Sequence, residues 1–174
     1  MRRYQELIVK DKERCLGSYC FLWGQKQEST ATWHGMFLNN GSPTEAVDVM
    51  HYCWTGEWPS SRAPSIRDIS LDNIGWRKDH VIESSVKATL KIEYLKYNNK
   101  KVNTEYVLFP EAFSNKIGGD IQKSPDSIPL EIVKQSENEL IFISPKKKGA
   151  YRLFAFVKND KGQSSVANIP FLVQ

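Results

Sequence analysis

The sequence has no apolar run approaching the roughly 20 residues that cross a bilayer as a helix, so no membrane span is expected. It is short of cysteine, with three in 174 residues, too few for a disulfide scaffold. Cys15 and Cys20 have opposite parity on one extended run, so their side chains point to opposite faces and cannot bridge. Cys53 is expected as a buried free thiol. The three histidines, His34, His51 and His80, have no ligand spacing, and His51 and Cys53 stand two apart on a helical segment and face different ways. Neither a metal nor a cofactor is therefore expected. No stretch around a cysteine carries a catalytic signature, and there is no Gly-rich phosphate loop, because Gly118-Gly119 is an isolated turn. The opening Met1-Arg2-Arg3-Tyr4-Gln5-Glu6 has positive charge but no apolar region behind it, so no signal peptide is visible. The basic runs Lys100-Lys101 and Lys146-Lys147-Lys148 fall in turns, without the continuous stripe and interleaved aromatics of a nucleic-acid face.

What is present is ordinary globular composition, 40% apolar and 25% charged. It is unevenly placed. Residues 1–60 hold six Lys/Arg and seven Asp/Glu, while 61–174 hold 18 and 13. Four of the five tryptophans (Trp23, Trp33, Trp54, Trp58) precede residue 60, leaving Trp76 alone in the remainder. Between the halves, Trp58-Pro59-Ser60-Ser61-Arg62-Ala63-Pro64 reads as a linker. The expected division is 1–58, a linker at 59–65, and 66–174.

The first part reads as helix, buried strand, loop, helix. Tyr4, Leu7 and Ile8 stand at helical spacing within 2–13. Residues 15–23 are an apolar run without alternation, the pattern of a strand buried on both faces in a parallel sheet. Residues 31–38 suggest a short extended piece. Ser42-Pro43-Thr44-Glu45 has the form of a capping box with proline at the first helical position, and Gly56 is a suitable C-terminal stop. The second part reads as strands at 66–71, 85–95, 103–109, 129–134, 138–144, 149–158 and 164–173, separated by turn residues. Seven short strands in this length suggest an immunoglobulin-like sandwich, with Gly149-Ala150-Tyr151 placed for a tyrosine corner. The fold class expected is thus α+β overall, a βα unit followed by an all-β sandwich.

About 58 residues with one parallel strand cannot close a core of their own. Leu16, Tyr19, Phe21, Leu22 and Trp23 would stay partly exposed, and each large apolar side chain left uncovered forfeits roughly 1.5–3 kcal/mol. Residues 15–23 therefore call for cover from the sandwich, from a partner such as a second copy, or from a larger barrel.

A family resemblance bears on this. The stretch Leu16-Gly17-Ser18-Tyr19-Cys20-Phe21-Leu22-Trp23-Gly24-Gln25 resembles the eighth strand of the TIM barrel in glycoside hydrolase family 2, with a glycine opening the strand and a tryptophan near its end. Thr32-Trp33-His34-Gly35-Met36-Phe37 and Thr44 to Met50 resemble the closing loop and helix in multidomain bacterial members, and Gly149 to Phe154 with Asp160-Lys161-Gly162 resembles their appended Ig-like domain. The resemblance implies a C-terminal portion of a retaining glycosidase, with carbohydrate as its partner class and a periplasmic or extracellular location. It also implies no catalytic residue here, since the family's two glutamates lie on the fourth and seventh strands. Asn138-Glu139 mimics one of those motifs but falls between sandwich strands.

Within that resemblance Trp23 lies at the barrel mouth, where its ring either stacks on a sugar or packs as a strand-end tryptophan. Gln25, Lys26, Gln27 and Glu28 either hydrogen-bond hydroxyls or form an ordinary polar loop, and Trp33 with His34 either walls a subsite or packs. Three functions stay open. The chain is a glycosidase portion inactive alone, or a stand-alone β-sandwich module binding carbohydrate or a protein, or a structural subunit completing another chain's sheet.

Overall fold

The computed structural model describes residues 2–28, 30–32, 35–99, 101–113 and 122–174. Helical backbone among them is confined to α1 (Arg2–Tyr4) with the π-helical turn Gln5–Val9, and to α2 (Glu45–Thr55). The rest of the regular structure is strand: β1 (Ser65–Leu71), β2 (Ile74–Gly75), β3 (Val81–Ile82), β4 (Lys87–Leu95), β5 (Val102–Pro110), β6 (Glu131–Gln135), β7 (Glu139–Ile143), β8 (Gly149–Asn159) and β9 (Ser164–Val173). They form two sheets, ordered β2-β1-β4-β7-β6 and β3-β9-β8-β5. All strand pairs are antiparallel except β3 with β9.

The sandwich follows from period-two patterning. In β8, Tyr151, Leu153, Ala155 and Val157 are buried while Lys158 is exposed. They meet Ile69, Leu71, Leu90, Ile92, Leu140 and Phe142 of the facing sheet in one hydrophobic core. The Tyr151 hydroxyl donates to the Lys147 carbonyl at 2.6 Å, the hydrogen bond expected of a tyrosine corner. The edge strand β6 is exposed along its whole length and carries a register shift between Ile132 and Lys134, which disrupts the ladder where another chain would pair.

The expected α+β class with a barrel βα unit is corrected. The described chain is predominantly β, and 15–21 form no strand pairing at all. Only Leu22 pairs, in an isolated parallel bridge with Gly35. The physical reason is supply. A parallel strand needs a neighbour at each edge and a layer on each face, and among the described residues this region offers two short helices and loops. The predicted helix over 2–13 ends at Val9. The helix start also shifts. Thr44, not Ser42, is the cap, its hydroxyl accepting from the Ala46 N–H at 3.3 Å and donating to the Met36 carbonyl at 2.9 Å. Pro43 stands before the cap because its carbonyl takes the Ser164 N–H (2.9 Å), which ties the loop to β9. Gly56 does terminate α2, at φ 81°.

Residues 59–65 are stitched on both sides. The Arg62 guanidinium lies 3.6 Å from the Trp58 ring centre and 3.7 Å from that of Tyr97, and Trp58 stacks on Tyr52 of α2 at 4.5 Å. Buried Asp48 of α2 accepts the Ala63 N–H at 2.7 Å. Buried Asn159 closes the other side, its amide donating to Arg62 O, Asn99 Oδ1 and Gln163 Oε1 while its oxygen accepts from the N–H groups of Lys161 and Gln163.

Asn159→Ala orphans several of these buried groups at about 1–3 kcal/mol each. The expected loss is on the order of 3 kcal/mol in urea unfolding at unchanged m-value; a loss below about 0.5 kcal/mol contradicts the hub. For Asp48, burial raises the carboxyl pKa above 3.8, against the Ala63 N–H and Arg62, which lower it. A raised folded pKa means stability that is present below the unfolded value and lost as pH rises through the folded one. Relative to Asp48→Asn, the wild-type Tm is therefore expected to rise as pH falls from about 7 to about 4. A pH-independent difference contradicts this account.

Candidate functional site

The exposed side chains of 15–23 are the most unusual feature of the surface. Leu16 is 104% exposed, Tyr19 102%, Phe21 74% and Trp23 63%. Between them Ser18, Cys20 and Leu22 are partly covered, while Leu16 is exposed although it shares their parity. Over 18–23 this is the period-two pattern of a strand sealed on one face, yet no neighbouring strand takes the backbone of 15–21. No charged residue occurs between Cys15 and Gln25. Beneath the segment, an open and mainly apolar cleft of about 510 Å³ runs between it and α2, lined by Tyr4, Ile8, Cys20, Met36, Val49 and Met50. Tyr4 buttresses one wall, its hydroxyl within 2.7 Å of Ser18 Oγ and accepting the Trp54 indole N–H at 3.0 Å.

The segment is anchored at its far end. The Met36 N–H donates to Leu22 O and the Phe37 N–H to Trp23 O, both at 3.1 Å, and the Trp23 ring packs on Phe37 at 5.3 Å. Gly35 makes this possible, because a Cβ there would lie 2.5 Å from the Gly24 carbonyl oxygen. Gly35→Ala is expected to strip the Met36 and Phe37 amides of hydrogen-exchange protection while the β8–β9 amides keep theirs; retained protection at both contradicts the role given to Gly35.

The structure does not bring the sequence-based site residues into one site. Trp23 faces solvent against Phe37. Gln25 Oε1 accepts the Asn39 N–H at 3.1 Å and borders a second cleft of about 330 Å³, where the loop meets Asn103, Phe109, Phe154 and Phe156 on the outer face of β5 and β8. Lys26 and Glu28 pair with each other at 2.8 Å. Gln27 is buried and accepts from the Ser124 hydroxyl at 3.1 Å. Trp33 and His34 lie outside the described residues, as do Lys100 and the Gly118-Gly119 turn. Cys15, Cys20 and Cys53 are free thiols of intermediate exposure, so Cys53 is less buried than expected. Among the described residues no group of three or more His, Cys, Asp or Glu is placed to hold a metal ion, and no helix is long and apolar enough to cross a membrane.

No protein-family model matches the sequence, and no curated protein matches it. Three solved structures show a distant likeness. PcoC, a methionine-rich copper resistance protein from Escherichia coli, is 12% identical at a TM-score of 0.37, covering 64% of this chain and 99% of its own. A conjugative transposon lipoprotein from Bacteroides eggerthii is 11% identical at 0.34, covering 64% and 98%. The PmoD soluble domain from Methylocystis is 10% identical at 0.35, covering 68% and 95%. Likenesses this weak carry no inference about ligand. The glycoside hydrolase resemblance is corrected here: there is no barrel βα unit among the described residues, no family model of that kind matches, and of the expected architecture only the β-sandwich stands.

Proposed function

We propose that the chain is a β-sandwich interaction module that binds another polypeptide through residues 16–23, and that the polypeptide is a second copy of the same chain. The single observation carrying this is the run of exposed Leu16, Tyr19 and Phe21, continued by Trp23, whose backbone over 16–21 no strand pairs. Contiguous exposed apolar surface of this kind marks an interaction site, and unpaired N–H and C=O groups are a template for strand addition.

Two features favour a second copy. The segment has no charge between Cys15 and Gln25, so nothing electrostatic opposes its meeting itself. Antiparallel pairing of two identical strands is also self-complementary, which is the closed two-fold arrangement most homodimers use. In such a pair Tyr19 and Phe21 of both copies would fall on the same face, where aromatic cross-strand pairs contribute most.

Sedimentation velocity from about 1 µM to about 500 µM tests this. The wild type is expected to pass from monomer to dimer across that range. Tyr19→Lys and Phe21→Lys place charge on a side chain that touches little in the monomer, so each is expected to weaken the dimer at least about tenfold, or about 1.4 kcal/mol, at unchanged Tm. A wild type that stays monomeric throughout, or lysine variants that dimerise equally well, contradicts the proposal.

A further inference from the structure

The turn after β2, the residues leading into β3 and the residues following β5 border one open groove of about 530 Å³. Two aromatic side chains from distant parts of the sequence line it: Trp76, 50% exposed, and Phe113, 85% exposed. Tyr151, Pro170 and Phe171 of β8 and β9 also line it.

The groove is not simply apolar. The Arg77 guanidinium lies 4.9 Å from the Trp76 ring centre and brings positive charge to its rim. Lys78 stands next to it, and among the described residues neither forms an ion pair. Arg152 is already neutralised, its guanidinium gripping the Glu111 carboxylate through contacts of 2.8–3.1 Å and reaching Asn168 at 2.6 Å. Asp79 offsets one of the two free cations, leaving the wall with a positive excess. His80 also lines the groove. It is 5% exposed, and its Nε2 has no hydrogen-bond partner. Burial lowers its pKa, against Gly75 and Asp79, which raise it, and its ring lies behind the groove wall.

We infer that this groove binds an acidic saccharide, a pyranose bearing a carboxylate or sulfate. A pyranose has an apolar C–H face and a rim of hydroxyls. The exposed rings of Trp76 and Phe113 fit the face, and the exposed Asp79 carboxylate fits the rim. The free charges of Arg77 and Lys78 fit an anionic substituent. The inference is independent of the self-association proposed above, since it uses no residue of 16–23.

Calorimetric titration of the full chain with a panel of oligosaccharides tests it. The panel holds galacturonate, mannuronate and hyaluronan oligomers and a heparin-derived hexasaccharide, with maltohexaose and cellohexaose as neutral controls and a proline-rich decapeptide as the alternative occupant. Saturable binding of at least one acidic oligosaccharide is expected, with the neutral controls at least about tenfold weaker. Trp76→Ala is expected to abolish that binding and Phe113→Ala to weaken it. Lys78→Ala should weaken it and flatten its dependence on salt, while Tyr19→Lys leaves it unchanged. Trp76 and Phe113 are exposed, so their variants are expected to fold, which melting curves check; Trp76→Phe is expected to retain part of the affinity through its ring. Failure of every acidic sugar to bind overturns the inference. So does equal binding of neutral sugars, binding indifferent to Trp76→Ala and Phe113→Ala, or capture of the decapeptide by the same residues in place of sugar.

Discussion

The N-terminal layer keeps its place through one stack. Tyr52, Trp58, the Arg62 guanidinium and Tyr97 follow one another ring against plane, from α2 across the 59–65 stretch to the turn after β4. Arg62 also donates to the Tyr97 hydroxyl at 3.0 Å. A planar cation suits this position where lysine would not, because it can stack on two rings and still donate in its plane. On one side the stack is reinforced by Asp48 and by Glu45, which accepts from the Ser65 hydroxyl, and on the other by Asn159. Because α2 is fixed to the sandwich this way, the segment resting on α2 is fixed too, and its outer face is held out to solvent instead of collapsing inward.

That arrangement sets apart two surfaces of different character. Residues 16–23 are uncharged and mainly apolar, with open backbone over 16–21; a partner there would gain area and strand hydrogen bonds. The groove at Trp76 and Phe113 is bordered by charge and backed by β8 and β9, so a partner there would be recognised by its polar rim. The middle cleft, where Gln25 meets Phe109, Phe154 and Phe156, is the seam between the layer and the sandwich. It is the reason Phe154, on the outer side of β8, is buried although its neighbours in alternation face the core.

Much of the sandwich could be read from residue order. Strands over 149–158 and 164–173 were expected and lie at 149–159 and 164–173, because alternation of large apolar with polar residues is a local signal of burial on one face. The two-residue strands β2 and β3 left no such signal. The Gly56 helix stop was legible because only a left-handed position asks for glycine there. The cap was misplaced because Ser42-Pro43-Thr44-Glu45 offers two overlapping starts, and the choice is made by Ser164 and Met36, which are remote or outside the motif. The run at 15–23 misled for a related reason. Uniform apolarity says that a strand wants cover on both faces, but not whether the chain can supply it. Nothing in the order of residues places Trp76 and Phe113 on one groove, since the threading of β3, β9, β8 and β5 into one sheet brings their loops to it.

The claim that the open backbone of 16–21 is a pairing edge is tested most directly by amide hydrogen exchange on that segment as a function of protein concentration. Alternate amides from Leu16 to Phe21 are expected to exchange freely in dilute solution and to become protected as concentration rises, in the period-two pattern of an added strand. Exchange that stays fast at every concentration, or protection already complete in dilute monomer, would contradict the account.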